Sequence, residues 1–87
     1  MPQESAIEFP CEFPIKMMGR DSSAFRQTMR TLVEGHVGAV DDSRVQSTVS
    51  RNGRFVSVTI TITATSQQQL DAIYHDVSAH ADVLMAL

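Results

Sequence analysis

The stretch from Arg54 to Thr65, RFVSVTITITAT, constrains this chain more than any other: Val56, Val58, Ile60, Ile62 and Ala64 alternate without a break with Ser57, Thr59, Thr61, Thr63 and Thr65. Successive side chains of a strand point to opposite faces, so a period of two marks one face against a core and one away from it. The run is β-branched, uncharged after Arg54 and free of proline. On an open sheet edge it would template aggregation, so it belongs in the middle of a sheet, with neighbours supplied from both directions of the chain.

The 87 residues allow one domain, 1–87, that buries roughly 60–65% of the surface its unfolded chain would expose, enough for a core without metals or disulfides. Residues 1–8 are polar and aperiodic and read as a flexible tail. Pro10 and Pro14 place the entry to the first strand at a start or an edge, because proline has no N–H for a ladder. Phe13 to Met18 is that strand: Phe13, Ile15 and Met17 on one face, Pro14, Lys16 and Met18 on the other, with Gly19 ending it. Asp21, Ser22 and Ser23 are candidate caps for a helix whose apolar stripe is Phe25, Met29, Leu32, Val33 and His36, and Gly35 and Gly38 are its candidate terminators.

Residues 39–43 read as loop, and Arg44 to Arg51 as a short polar strand near an edge. Asn52-Gly53 then predicts a type I′ hairpin into the long strand, since that turn needs positive φ at both central positions. Ser66 and Gln69 have the spacing of a capping box, and Leu70, Ile73, Tyr74, Val77 and Ala81 make one helical stripe. Asp82 to Leu87 predicts a fourth strand. The order β-α-β-β-α-β with right-handed crossovers gives a ferredoxin-like α+β sandwich: an antiparallel sheet of order 4-1-3-2 with both helices on one face.

The residues also resemble the YbeD-like family of small bacterial proteins. The resemblance spans Ile7 to Leu87 and rests on Glu8-Phe9-Pro10, Phe13, Lys16-Met17-Met18-Gly19, Ser50 with Gly53, Ser57-Val58-Thr59, Ala64-Thr65-Ser66, Gln69, Tyr74 and the ending Val83 to Leu87. Pro14-Ile15 and Asn52 depart from the family pattern, which tends to an aromatic pair before the first-strand lysine and a lysine before the turn glycine. The resemblance implies the same fold, similar to amino-acid-binding regulatory (ACT) domains, and a link to lipoate metabolism. It brings no catalytic residues with it.

Elementary chemistry narrows the function without naming it. A net charge of −3 argues against nucleic-acid or anionic-membrane partners. Without a leader-like or long apolar segment, a reducing cytoplasm is the expected location. Cys11 is the only cysteine, sits between prolines without a nearby histidine, and reads as a small hydrophobe rather than a nucleophile. His75 and His80, five apart on a helix, point about 140° away from each other and do not make a metal pair; His36 stands alone at the end of the first helix. Gly19-Arg20 is a faint echo of an acylphosphatase loop, and Thr59, Thr61 and Thr63 occupy positions where an RNA-recognition sheet carries aromatics. No catalytic, cofactor or metal residues are assigned.

What remains is the sheet face away from the helices: Lys16 and Met18, Gln46, Thr48 and Ser50, Ser57, Thr59, Thr61 and Thr63, Leu84 and Ala86, with Lys16 the one charge. A solvated sheet face ordinarily collects charges, so neutral hydroxyls with a few apolar side chains predict a face that meets a protein partner or a second copy. Thr59, Thr61, Met18 and Leu84 are its expected centre, and a small-ligand sensor is the competing expectation.

Overall fold

A computed structural model describes residues 7–20 and 23–87. The chain forms β1 (Cys11–Arg20), α1 (Phe25–Val37), a 3-10 turn (Asp42–Arg44), β2 (Val45–Val49), β3 (Phe55–Ala64), α2 (Gln67–Ala79) and β4 (Val83–Ala86). The sheet order is β2-β3-β1-β4, all neighbours antiparallel, which is the predicted ferredoxin-like arrangement. The long alternating run lies inside the sheet between β1 and β2, as its composition requires.

Pairing β1 with β3 places Phe13 against Ile62, Ile15 against Ile60, Met17 against Val58 and Gly19 against Val56 on one face. Phe25, Met29 and Val33 of α1 and Leu70, Ile73 and Val77 of α2 close over that face, and all six are buried. Ile15, Met17, Met29, Val33, Val58, Ile60, Ile73 and Val77 have no exposed surface, so the core is continuous between the layers. Cys11 is half-buried, opposite Ala64, and packs against the edge of that core. Phe13 meets Tyr74 of α2 edge to face with ring centroids 6.4 Å apart.

β1 runs beyond the Phe13 to Met18 expected for it, and Gly19 lies within it. Pro14 is tolerated there because of where β4 stops. Lys16 turns its N–H and C=O toward Leu87, at 3.2 and 2.8 Å. Pro14, two residues earlier, faces the same flank, and the β4 pairing spans only Met17 to Gly19, so its missing donor faces no strand.

The helix ends differ from expectation in instructive ways. Asp21 and Ser22 lie outside the described residues; Ser23 does not cap, since Ala24 occupies the N-cap position with no side-chain hydrogen bond. Gly35 is an exposed residue inside α1, and Gly38, at φ +84° with its N–H on the Glu34 carbonyl at 2.8 Å, is the terminator. Ser66 caps α2 by accepting from the Gln69 N–H at 3.1 Å, while the Gln69 side chain reaches one residue further back than a capping box, to the Thr65 N–H at 2.9 Å. α2 stops at Ala79, so Ala81 is exposed beyond the stripe. Of the expected tail, residues 1–6 lie outside the described residues, and Ile7 and Glu8 are exposed.

The β2–β3 connection is longer than a two-residue type I′ turn. Ser50 donates to the Phe55 carbonyl at 2.8 Å, and the Gly53 N–H closes on the Ser50 carbonyl at 2.9 Å, which makes Arg51 and Asn52 the central pair. Gly53 follows them at φ +74° with open space where a Cβ would stand. Asn52 contributes its side chain instead, accepting from the Arg54 N–H at 3.1 Å. Gly53→Val is therefore expected to cost about 1–2 kcal/mol through backbone strain alone, read as a lower denaturant midpoint at unchanged slope.

Candidate interaction face

With both helices on one side, the other side of the sheet is uncovered. β1 sends Glu12, Pro14, Lys16, Met18 and Arg20 to it, opposite Thr63, Thr61, Thr59, Ser57 and Phe55 of β3. Gln46 and Thr48 of β2 extend the row beside Thr59 and Ser57. Thr59 and Thr61 are half-exposed and Thr63 exposed. The six residues expected at the interaction face divide accordingly. Lys16, Met18, Thr59, Thr61 and Thr63 share one surface, and Leu84 lies at its β4 margin.

The β4 margin departs from simple alternation. Met18 is opposite Met85 but Gly19 is opposite Val83, so Leu84 is the extra residue of a bulge. Ala86, expected on the open face, is opposite Met17 and packs against the core; Met85 takes the open-face position in its place. Leu84, Met85 and Leu87 are 52%, 51% and 64% exposed, a concentration of uncovered apolar surface next to Met18. A one-residue slip inverts every face assignment that follows it, and no residue in VLMA announces a bulge.

The longer β1 also adds charge that a strand ending at Met18 would leave out. Arg20 stands at one end of the face and Glu12 at the other. Glu12 accepts from Arg44 Nη1 at 2.5 Å and from Thr63 Oγ1 at 2.8 Å, and Arg44 also donates to the Thr61 carbonyl at 3.3 Å. The Arg44 hydrogen bond, then that of Thr63, holds the Glu12 carboxyl below its ordinary value of 4.5. A carboxyl depressed by folding adds stability above its unfolded range, and that increment is lost as pH falls through the folded value. NMR titration is expected to find Glu12 below free glutamate and to find it raised in Arg44→Ala.

Two shallow cavities border this face. One, of about 310 Å³, lies between the end of α1 and β3 and includes Val40, Asp41, Arg44 and Thr61. The other, of about 210 Å³, is lined by Arg20, Phe25, Ala81, Asp82 and Leu84 where β1 gives way to α1.

The histidines have partners that their positions in the chain do not announce. His36 Nε2 is 2.7 Å from Asp76 Oδ2, joining the end of α1 to α2, so His36 does not stand alone. His75 Nδ1 is 3.6 Å from the other Asp76 oxygen, and His80 Nδ1 accepts from the Asp82 N–H at 3.1 Å in the turn into β4. The His36 hydrogen bond is the main cause of an Asp76 pKa below the ordinary carboxylate value. Among the described residues no three histidine, cysteine or acidic side chains converge as a metal site would require, and no helix is long and apolar enough to cross a membrane.

An antiparallel β2-β3-β1-β4 sheet backed by two helices and open on its other face defines a small ferredoxin-like α+β domain. The model of a family described as a protein of unknown function, DUF493, matches residues 4–87. The chain belongs to that family. It is 42% identical over 87 residues to UPF0250 protein NE1487 of Nitrosomonas europaea, covering all of both chains. It is 43% identical to a UPF0250 protein of Paraburkholderia phytofirmans over 97% of this chain and 94% of the other. The solution structure of protein HP0495 from H. pylori superposes with a TM-score of 0.71 over 95% of this chain and 87% of that one, at 17% identity, which is a likeness of fold. The resemblance to the YbeD-like proteins accordingly stands.

Proposed function

We propose that this chain is a non-enzymatic regulatory or adaptor domain that works by docking another protein on the open face of its sheet. The observation that carries the reading is the uncovered apolar surface at Leu84, Met85 and Leu87, continuous through Met18 with a lane of neutral hydroxyls on β3. Apolar surface concentrated on one face of a small domain marks an interaction site, whereas scattered exposed side chains do not. Thr61→Lys puts a solvated charge in the middle of that face without touching the core. It is expected to abolish capture of the partner, or self-association where the partner is a second copy, at unchanged circular dichroism. Sedimentation showing a monomer at high concentration, together with identical pull-downs from wild type and mutant, would sink the proposal.

A second reading, an ACT-like small-ligand sensor with lipoate among its candidate ligands, draws on one feature. The cavity beside Arg20 opens where β1 passes into α1, the region in which the ACT-type reading places a ligand. Thermal-shift screening against amino acids, lipoate and nucleotides separates the two, since a ligand at a hundred times its Kd stabilises by about 2.7 kcal/mol. A clear hit moves the assignment to the sensor.

A further inference from the structure

The cations of this acidic chain fall into two groups. Arg26, Arg30 and Arg44 are held by Asp42, Glu34 and Glu12. Lys16, Arg20, Arg51 and Arg54, four of the seven, are exposed and have no carboxylate within ion-pair distance among the described residues. These four gather on the open face and at the turn that ends it. Lys16 and Arg20 flank Met18 on one face of β1, Arg20 is opposite Phe55, and Arg51 and Arg54 belong to the adjoining β2–β3 connection.

Among the described residues, neutral side chains flank the middle of this lane. Thr59 and Ser57 lie on one side and Met85 and Leu87 on the other. Glu12, at the far end of β1, is engaged by Arg44. Asp82 shares a cavity lining with Arg20 but makes no ion pair with it. Glu34, Asp71 and Asp76 are on the helices, the layer behind the sheet.

We propose that the lane Lys16, Met18, Arg20, extended by Arg54 at the turn, receives an acidic protein segment that presents two carboxylates with an apolar side chain between them. The inference rests on the docking role proposed above and names the chemistry of the partner. Alternate residues of β1 repeat every ~6.6 Å, so Lys16 and Arg20 stand roughly 13 Å apart with Met18 midway. An extended segment of the form Glu-x-Leu-x-Glu has the same repeat on one of its faces, with opposite charge at the ends and an apolar side chain for Met18, Met85 and Leu87. Complementary charge of this kind sets orientation and on-rate, and the apolar contact supplies the burial. A polyphosphate chain offers no apolar side chain at the middle position, so it leaves Met18, Met85 and Leu87 uncovered.

The test is an NMR titration of the full chain with a flanked Glu-Ser-Leu-Ser-Glu peptide, alongside its Lys-Ser-Leu-Ser-Lys counterpart, an oligothymidylate and phosphatidylserine–phosphatidylcholine vesicles. The expected result is salt-sensitive shifts at Lys16, Met18, Arg20, Arg54 and Met85 with the acidic peptide alone. Lys16→Glu/Arg20→Glu is expected to weaken that binding by about tenfold or more. Both side chains are exposed, so circular dichroism should be unchanged. Equal binding of the basic peptide, shifts confined to the helices, or stronger binding to the oligonucleotide or the vesicles would overturn the proposal. If Thr61→Lys blocks capture of a natural partner while the double charge reversal does not, the docking face survives and the acidic partner is refuted.

Discussion

Gly19→Val is expected to unfold the domain or to leave it with a small fraction of its stability. A Cβ at Gly19 would stand 2.6 Å from the Asp82 carbonyl oxygen and 2.6 Å from the tip of the Phe25 ring, and real Cβ atoms do not approach that closely. Neither neighbour can give way cheaply. Phe25 is only 2% exposed beneath the sheet, and the Asp82 carbonyl belongs to the backbone that leads into β4. Overpacking of this kind costs about 3 kcal/mol or more when backbone must move. A chain of this length is stabilised by roughly 4–13 kcal/mol in all. Gly19→Ala meets the same two contacts and is expected to lose about 3 kcal/mol of that amount. Chemical denaturation followed by circular dichroism reads both, and a wild-type midpoint for either would mean that Phe25 does not pack on Gly19.

Ile60→Ala is expected to cost about 4 kcal/mol, within the range for truncating a fully buried isoleucine. Ile60 lies between Ile15 of β1 and Val45 of β2 and has no exposed surface. The cavity would open at the centre of the sheet, where the strands on both sides hold the surrounding backbone in place. Thr59→Ala and Thr61→Ala, one residue to either side, should shift the midpoint by less than about 1 kcal/mol, because their side chains leave the open face. A loss at Ile60 no larger than at the threonines would contradict the assignment of the two faces of β3.

These contrasts also show which parts of the structure were legible from residues alone. The period of two in β3 determines both its faces and its central place, because no edge position tolerates such a run; sheet order and the helical layer follow from chain order and crossover handedness. The stripes of α1 and α2 were legible for the same reason, since Phe25, Met29, Val33, Leu70, Ile73 and Val77 recur at helical spacing and are all buried.

What escaped was set by neighbours distant in sequence. The extension of β1 through Gly19 to Arg20 depends on the Phe25 ring needing a residue without a side chain beneath it. The exchange of Ala86 for Met85 on the open face depends on a bulge that only pairing with Met18 and Gly19 imposes. The bonds of His36 to Asp76 and Glu12 to Arg44 join residues 40 and 32 positions apart. The open face was therefore legible as a row of hydroxyls on β3 with Lys16, Met18 and Leu84 beside it, whereas Glu12, Arg20 and Met85 were not.

β2 has a role beyond completing the ladder. Of its five residues only Val45 is buried, and Gln46 to Val49 are exposed, so one row of backbone bonds to β3 holds most of the strand. Such a strand detaches readily, and each departure bares one side of Val56 to Ile60. Its return is a hairpin closure through a short connection, complete on the order of microseconds. Another molecule, arriving by diffusion at rates of roughly 10⁵–10⁷ M⁻¹s⁻¹, needs about 0.1 s or longer at micromolar concentration. Growth of a fibril from that bared edge is thus a race against a strand that the short β2–β3 connection keeps close at hand.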